Sequence, residues 1–210
     1  MFMRNKKKII IAFVFLALVY CVAVEISFVK KVLTFCEIGG LSVEESLGII
    51  EDWKCFPVPE DKSGKASVDY EDSFGGSRTY GGKRRHEGTD LMSSNNERGY
   101  FPVVSVCDGI VEKKGWLKLG GWRMGIRSEH GTYFYYAHME RYEEKLKEGS
   151  KVEAGQVIGY MGDSGYGEEG TTGQFAVHLH FGVYIKRGDK EVSINPYPLL
   201  KLYEEKRGEF

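Results

Sequence analysis

The sequence has 210 residues, a formal net charge of −1 and a hydrophobic content of 42%. This length fits one domain with additional segments, and the composition excludes a disordered chain. Glycine supplies 27 residues and proline only 5, without a Gly-X-Y period, which excludes collagen and favours a β-rich domain with many turns. The balanced charge gives no sign of the basic surface that is typical of nucleic-acid binding.

The N-terminus joins a basic prefix to an apolar run. Residues 1–8 carry four positive charges, and residues 9–24 contain no charged side chain. A helix continued to Val29 reaches about 31 Å, which matches a hydrocarbon core of about 30 Å. The pattern predicts a cytoplasmic stub over 1–8 and a single-pass transmembrane signal-anchor over 9–29.

A second interpretation of this segment is a cleaved signal peptide with a weak small-x-small site at residues 21–23, which would make the protein secreted. In both interpretations the rest of the chain lies outside the cytoplasm. That remainder carries a net charge of about −5, and an acidic external domain again argues against nucleic acid as a partner.

The four cysteines show no CxxC spacing, so neither a thiolate zinc site nor a thioredoxin-type motif is indicated. Cys21 lies in the apolar run. The other three, Cys36, Cys55 and Cys107, allow at most one disulfide bond within the domain, and buried free thiols fit the pattern equally well.

Residues 30–73 read as a juxtamembrane segment that contains one short amphipathic helix, with Ser42 as its N-cap. The stretch 61–82 is polar and rich in Gly and Ser, which predicts a long loop. From about residue 100 onward, β-branched and aromatic runs separated by glycine predict strands. Residues 128–131 look like a hairpin turn, and the highly charged stretch 139–148 predicts a loop or helical turn rather than a strand.

A His-x-His pair lies in an alternating segment near residue 180. In a strand, His178 and His180 share one face with their Cα atoms about 6.5–7 Å apart. The opposite face is then apolar and consists of Val177, Leu179, Phe181, Val183 and Ile185. Alone, the pair is a weak signal that also fits two surface histidines.

Two further patterns contain residue types that bind zinc or carry protons. His86 and Asp90 are spaced as HxxxD, and the intervening Gly88 and Thr89 favour a turn that leads into a strand over a helix. A charged surface loop is the alternative for this stretch. His138 lies in an aromatic run in which strand alternation places Phe134, Tyr136 and His138 on one face, and a lone histidine at a strand end is the alternative there.

Taken together, these patterns indicate a catalytic metal site. Two histidines and one aspartate make three zinc ligands and leave a fourth position for water, whereas structural zinc sites are closed. Two more histidines remain to transfer protons and to stabilise developing charge.

The order HxxxD, a mid-domain histidine and then HxH resembles the LytM/lysostaphin-type zinc metallopeptidases of the M23 peptidase family. The resemblance covers residues 74–197 and includes further glycine-containing motifs, which are Tyr80-Gly81-Gly82, Asp108-Gly109, Gly155-Gln156-Val157-Ile158-Gly159 and Gly162-Asp163-Ser164-Gly165. It implies a mainly β (α+β) fold, an antiparallel β-sheet peptidase domain over 74–200 and a C-terminal tail over 201–210.

The resemblance assigns roles to five residues. It makes His86, Asp90 and His180 the ligands of one Zn²⁺ ion, and it makes His138 and His178 the catalytic pair. Which of these two histidines is the base stays open. An HExxH-type role for Glu87 is disfavoured, because that motif needs a second histidine where this chain has Asp90.

The resemblance also implies a substrate, the cross-bridge or stem peptides of bacterial peptidoglycan, and hence a role in cell-wall remodelling. Tyr80, Tyr136 and Tyr166 are candidates to line the substrate groove, with residues 161–174 as one wall. The remaining histidine, His130, matches no motif position and reads as a turn residue.

Two other functions compete with the peptidase. One is a non-enzymatic zinc-bearing scaffold or wall-binding module in division or sporulation, against which the complete set of five residues argues. The other is a cytoplasmic metalloenzyme, which fails if the N-terminus inserts into a membrane.

Overall fold

The computed structural model describes residues 16, 18–26, 29–30, 32, 36, 40–80 and 82–208. Residues 18–26 are helical. Within the described part of the chain, no helix is both long enough and apolar enough to cross a membrane. The predicted stub over 1–8 lies outside the described residues, and the predicted anchor over 9–29 lies partly outside them.

The chain divides into two compact units, Met1–Leu47 and Gly48–Phe210. Helix α1 (Val43–Asp52) begins in the first unit after a capping box. The Glu45 backbone N–H donates to Ser42 Oγ at 3.1 Å, and the Ser42 N–H donates to Glu45 Oε2 at 2.8 Å. The predicted helix and its N-cap are therefore confirmed.

The second unit is built on an antiparallel sheet. Its strands are β1 (Val68–Tyr70), β4 (Thr89–Ser93), β5 (Pro102–Val104), β6 (Gly109–Leu117), β7 (Gly121–Ser128), β8 (Tyr133–Tyr142), β9 (Lys151–Val152), β10 (Val157–Met161), β11 (His178–Arg187) and β12 (Lys190–Ile194). Two short strands, β2 (Ser77–Arg78) and β3 (Arg84–Arg85), pair separately.

The strand order is β1-β4-β11-β8-β7-β6-β9, with β10 beside β5 and β8 and with β12 beside β11. Every pairing between these strands is antiparallel. The prediction of a mainly antiparallel β fold is confirmed. Helix α2 (Tyr197–Leu202) and a 3₁₀ turn (Glu204–Lys206) follow the last strand.

One face of the sheet forms the core, into which residues from both ends of the second unit pack. The Trp53 ring meets Phe134 and Phe181 edge-on at centroid distances of 5.7 and 5.1 Å, and Tyr203 stacks on Trp53 at 5.8 Å. The Tyr203 hydroxyl also donates to the carbonyl of Ile50. The packed unit therefore extends beyond the boundaries expected at residues 74 and 200.

Two expectations about loops need correction. The polar stretch 61–82 contains β1 and β2, since Val68 pairs with Ser93 of β4. The stretch 139–148 is a strand as far as Tyr142, in which Met139 is buried in the core, Glu140 is half-buried and Arg141 is exposed. The hairpin turn at 128–131 is confirmed by the Ser128 N–H, which donates to the Thr132 carbonyl at 2.9 Å.

All four cysteines are free thiols. Cys107 is buried, and burial raises the pKa of its thiol to about 12. The Cys55 thiol donates to the Ser105 carbonyl at 3.3 Å. The sequence allowed either one disulfide bond or free thiols, and the structure contains free thiols.

Candidate metal centre and active site

Strand β11 places His178 and His180 on the same face of the sheet. The other face consists of the residues that alternate with the histidines, and all of them are buried in the core: Val177, Leu179, Phe181, Val183 and Ile185. The alternation predicted for this segment is confirmed. Both imidazoles therefore point away from the core, into a groove on the outer face of the sheet.

The pairing of β11 with β4 brings Asp90 directly opposite His180. His86 lies in the turn between β3 and β4, and only 2% of its surface is exposed. This confirms the prediction of a turn that leads into a strand. The Ser73 carbonyl fixes the imidazole of His86 by accepting a hydrogen bond from Nδ1 at 3.0 Å.

Three side-chain atoms, His86 Nε2, Asp90 Oδ1 and His180 Nδ1, form what we call the ligand triangle. Each of the three atom pairs is separated by 2.9 Å. Zinc–nitrogen and zinc–oxygen bonds are about 2.0–2.2 Å long, so three atoms at this spacing could all bind one ion. Imidazole and carboxylate are also ligand types that suit zinc.

Hydrogen bonds behind the ligand triangle orient its members for a cation. A carbonyl oxygen only accepts, so the bond to Ser73 puts the proton of neutral His86 on Nδ1 and leaves the Nε2 lone pair facing the triangle. Arg78 Nη2 donates to Asp90 Oδ2 at 2.7 Å, which leaves Oδ1 for the metal. Burial favours the neutral form of Asp90, but the close contacts of its carboxylate with the His180 and His86 imidazoles outweigh burial and hold the pKa of Asp90 well below its usual range.

Arg78 is a site residue that the sequence analysis did not identify. It lies in the stretch predicted as a loop, where nothing in the local pattern marks it. The pairing of β2 with β3, in which Arg78 lies opposite Arg84, brings its guanidinium to Asp90.

His138 enters the site through a β-bulge. Between the pairs Trp122–Met139 and Met124–Tyr136, strand β8 has one residue more than β7, and His138 has φ +63°. The bulge turns the imidazole towards the outer face of the sheet, where its ring centroid lies 4.7 Å from that of His178. The sequence-based expectation that His138 shares a face with Tyr136 is therefore wrong.

Both histidines outside the ligand triangle donate a hydrogen bond from Nδ1 to a backbone carbonyl. His138 Nδ1 lies 2.8 Å from the Ser164 oxygen, and His178 Nδ1 lies 2.7 Å from the Ala176 oxygen. Burial is the main cause that lowers the pKa of each imidazole, for His138 well below the usual value. Both are therefore neutral near pH 7, with Nε2 free to accept a proton.

The groove beside these residues has a volume of about 680 Å³. Tyr166 lines it, and Tyr80 stacks on Tyr166 from outside the lining, with ring centroids 4.2 Å apart. Arg84 Nη2 contacts the Tyr166 hydroxyl oxygen at 3.1 Å. Tyr80 and Tyr166 therefore join the 80–84 segment to the 161–174 loop at one rim of the groove.

Tyr136 was predicted to line the groove, and the structure contradicts this. Its side chain is fully buried, and its hydroxyl oxygen accepts a hydrogen bond from the Val106 N–H at 2.9 Å. Its neighbour Tyr135 points into the groove instead, with its ring 5.9 Å from that of His180. Strand alternation from the buried Phe134 could have identified Tyr135.

Glu87 and His130, which received no role in the metal site, contact other residues. The Glu87 carboxylate accepts a hydrogen bond from the Tyr184 hydroxyl at 3.4 Å. His130 lies in the turn between β7 and β8, where its Nδ1 is 2.9 Å from Asp52 Oδ1. It is a turn residue, as expected.

An antiparallel sheet that brings three potential metal ligands together beside two further histidines has the arrangement of a metallohydrolase. Residues 84–196 match the family model for peptidase family M23. The chain therefore belongs to the M23 peptidase family.

Individual relatives agree with this assignment. Over 149 residues the chain is 45% identical to an L-Ala–D-Glu endopeptidase from Bacillus subtilis, which covers 71% of this chain and 43% of the relative. It is 31% identical to glycyl-glycine endopeptidase ALE-1 from Staphylococcus capitis, over 48% of this chain and 26% of the relative. The chain thus spans less than half the length of these two proteins.

A crystal structure from Ruminococcus gnavus, which carries the name glycyl-glycine endopeptidase lytM, is similar in fold. The TM-score is 0.74 at 48% sequence identity, with coverage of 80% of this chain and 67% of that one. The antiparallel sheet described above is therefore a LytM-like fold.

Proposed function

We propose that this protein is a zinc metalloendopeptidase that hydrolyses peptide bonds in bacterial peptidoglycan. The observation that carries the proposal is the ligand triangle at 2.9 Å spacing, with His138 and His178 beside it in one groove. Bound zinc would supply Lewis-acid activation of water and of the scissile carbonyl.

His138 and His178 would carry the proton transfers. Each holds its Nδ1 proton on a backbone carbonyl, so each presents Nε2 to the groove. His178 Nε2 lies 3.8 Å from Asp90 Oδ1, which places it at the edge of the ligand triangle. One imidazole would accept a proton from the attacking water at Nε2, and the other would donate a hydrogen bond to the tetrahedral oxyanion from Nε2 once it has taken up a proton there.

The substrate follows from the family and its relatives. The L-Ala–D-Glu endopeptidase shares 45% identity with this chain, and the glycyl-glycine endopeptidase shares 31%. Their names point to a stem peptide or a cross-bridge as the target, and hence to a role in cell-wall remodelling. Tyr166 would form one wall for the peptide, and Tyr80 would support it from behind.

The place of action is the outer side of the bacterial membrane. Four positive charges precede sixteen uncharged residues, which supports a signal-anchor with its basic end in the cytoplasm. Cleavage near residues 21–23 would release the domain instead. Fractionation of cells with an antibody to the C-terminal domain separates an anchored from a secreted form.

The decisive experiment is a digest of purified peptidoglycan with the full-length protein, analysed by mass spectrometry for new amino and carboxyl ends. We expect the wild type to produce such ends and His178→Ala to lose about 10²–10⁴-fold in rate while it keeps the metal. The matched control is His130→Ala, which removes an imidazole outside the groove. Full activity in His178→Ala would contradict the assigned role.

The metal itself is tested by removal and replacement. Treatment with a chelator should abolish cleavage, and added Zn²⁺ should restore it. Elemental analysis should find one zinc per chain in the wild type and none in His180→Ala. Stoichiometric zinc in that variant would exclude the ligand triangle as the binding site.

A further inference from the structure

An arginine and three tyrosines lie on the groove face of the sheet, beside the ligand triangle. Tyr135 is edge-on to His180 at 5.9 Å, and the ring centroids of Tyr135 and Tyr184 are 6.3 Å apart. Tyr133 follows at 6.1 Å from Tyr184. Arg123 of β7 lines the same groove, so the four side chains form one surface that continues from the metal ligands.

Glycines make this surface possible. A Cβ atom at Gly125 would overlap the Tyr133 hydroxyl, and one at Gly182 would lie 2.9 Å from Tyr184 Cε2. The two rings therefore occupy the space over neighbouring glycines, and together they form a floor beside the ligand triangle. A floor of this kind suits an extended peptide, because aromatic rings give a large contact area.

The charged groups around this floor are mostly paired. Glu191 accepts a hydrogen bond from Arg127 Nη2 at 2.8 Å, and Arg78 is bound to Asp90. Arg123 differs, because its Nη1 is buried and has no hydrogen-bond partner among the described residues. A buried guanidinium nitrogen without an acceptor is costly, so a shift of the Arg123 side chain that pairs it with an acceptor in the groove would be favoured.

The surrounding hydroxyls are neutral donors. Burial is the main cause that raises the pKa of Tyr135 and Tyr184 above that of a free phenol. Neither phenol competes with a carboxylate for Arg123, and the Tyr135 hydroxyl can donate a hydrogen bond to one, whereas the Tyr184 hydroxyl already donates to Glu87.

We propose that Arg123 binds a free carboxylate of the substrate, carried by a residue within one or two positions of the scissile bond. The proposal rests on the proposed peptidase function and narrows its substrate class. Guanidinium and carboxylate form short, charge-assisted and often bidentate hydrogen bonds, which makes this pairing selective. A bridge made only of glycine has no side-chain carboxylate to offer, so the proposal favours stem peptides over glycine bridges.

The separation of Arg123 from the ligand triangle agrees with a carboxylate one or two residues from the scissile bond. One strand, β8, separates β7 from β11, so Arg123 and His180 belong to strands about 10 Å apart. An extended peptide advances about 3.3–3.6 Å per residue, and the arginine side chain covers part of the gap. A carboxylate one or two residues from the reacting carbonyl therefore reaches the guanidinium.

The test compares two synthetic peptides that differ only in one group, a free carboxylate or its carboxamide on the residue after the scissile bond. Full-length wild type, Arg123→Gln and Arg123→Lys are measured for kcat/KM on both peptides. We expect at least a tenfold preference of the wild type for the carboxylate. Arg123→Gln should lose this preference through slower cleavage of the carboxylate peptide alone, and Arg123→Lys should retain part of it. Lys118→Gln, which removes an exposed charge from the same groove, is the matched control.

A binding measurement tests carboxylate recognition by Arg123 independently of catalysis. Calorimetric titration with a non-cleavable form of each peptide should show at least tenfold tighter binding of the carboxylate form, lost in Arg123→Gln. Such binding without cleavage would overturn the peptidase function and leave the Arg123 site standing. The Arg123 proposal would be overturned if the wild type cleaved and bound both peptides equally well. It would also be overturned if Arg123→Gln lost the same factor in kcat/KM on both peptides.

Discussion

The guanidinium of Arg78 and the carboxylate of Asp90 are joined by a 2.7 Å hydrogen bond that uses only Oδ2. The other oxygen, Oδ1, lies 2.9 Å from both His86 Nε2 and His180 Nδ1. Arg78 therefore fixes the rotation of the carboxylate without occupying the atom that faces the metal position. Partners of this kind tune metal affinity although they bind no metal themselves.

Arg78→Gln should weaken zinc binding by about 10–100-fold, because the Asp90 carboxylate is then free to rotate. Competition with a chromophoric zinc chelator measures the change. Arg84→Gln is the control, since Arg84 lines the same groove but contacts Tyr80 and Tyr166. Equal zinc affinities for Arg78→Gln and the wild type would show that Asp90 needs no such support.

Gly88→Ala should weaken both metal binding and folding. A Cβ atom at Gly88 would collide with the Phe181 carbonyl and lie 2.8 Å from His180 Cε1, so β11 or the turn must shift. We expect a loss of about 1–3 kcal/mol in the free energy of unfolding, measured with urea. Gly208→Ala, where a Cβ atom meets nothing within 4 Å, should be close to neutral. A neutral Gly88→Ala variant would mean that the turn tolerates displacement.

Asp52→Ala should destabilise the hairpin turn and leave the metal site intact. The Asp52 carboxylate is buried and accepts hydrogen bonds from the hydroxyls of Ser128 and Thr132 at 2.6 and 2.8 Å. Loss of the acceptor should cost about 2–3 kcal/mol in the free energy of unfolding. The exposed neighbour Glu51 provides the control, Glu51→Ala. Weakened zinc binding in Asp52→Ala would show that the turn and the site are coupled.

His130 should make stability depend on pH. Its hydrogen bond to Asp52 raises the pKa of the imidazole above the usual 6.5, so the folded state binds this proton more tightly than the unfolded state does. The contribution is complete below pH 6.5 and is lost as the pH rises through the raised pKa. Thermal unfolding midpoints of wild type and His130→Gln should therefore converge with rising pH. A difference that stays constant across this range would rule out protonated His130 as its source.

Strand alternation was sufficient to predict how β11 divides between core and groove. A period of two assigns Leu179 and Phe181 to one face and His178 and His180 to the other, whatever the neighbouring strands do. It failed at His138, since a bulge inserts a residue and reverses the alternation, and the Tyr136 prediction failed with it. The local sequence does not mark this insertion.

The pairing of strands that are far apart in the chain cannot be predicted from the local sequence pattern. The encounter of Asp90 with His180 depends on the register of β4 against β11, which joins residues far apart in the chain. The approach of Arg78 depends likewise on the β2–β3 pairing. The HxxxD and HxH motifs identified candidate ligands, but their assembly into a single site follows from the topology of the sheet.

The alternation of β11 ties the chemistry of this protein to its folding. A slip of one residue against β4 would point both imidazoles into the apolar core and expose Leu179 and Phe181 to water. The misaligned chain would thus lose its hydrophobic stabilisation together with its metal site. A chain that buries the apolar face of this strand has therefore already placed His178 and His180 in the groove.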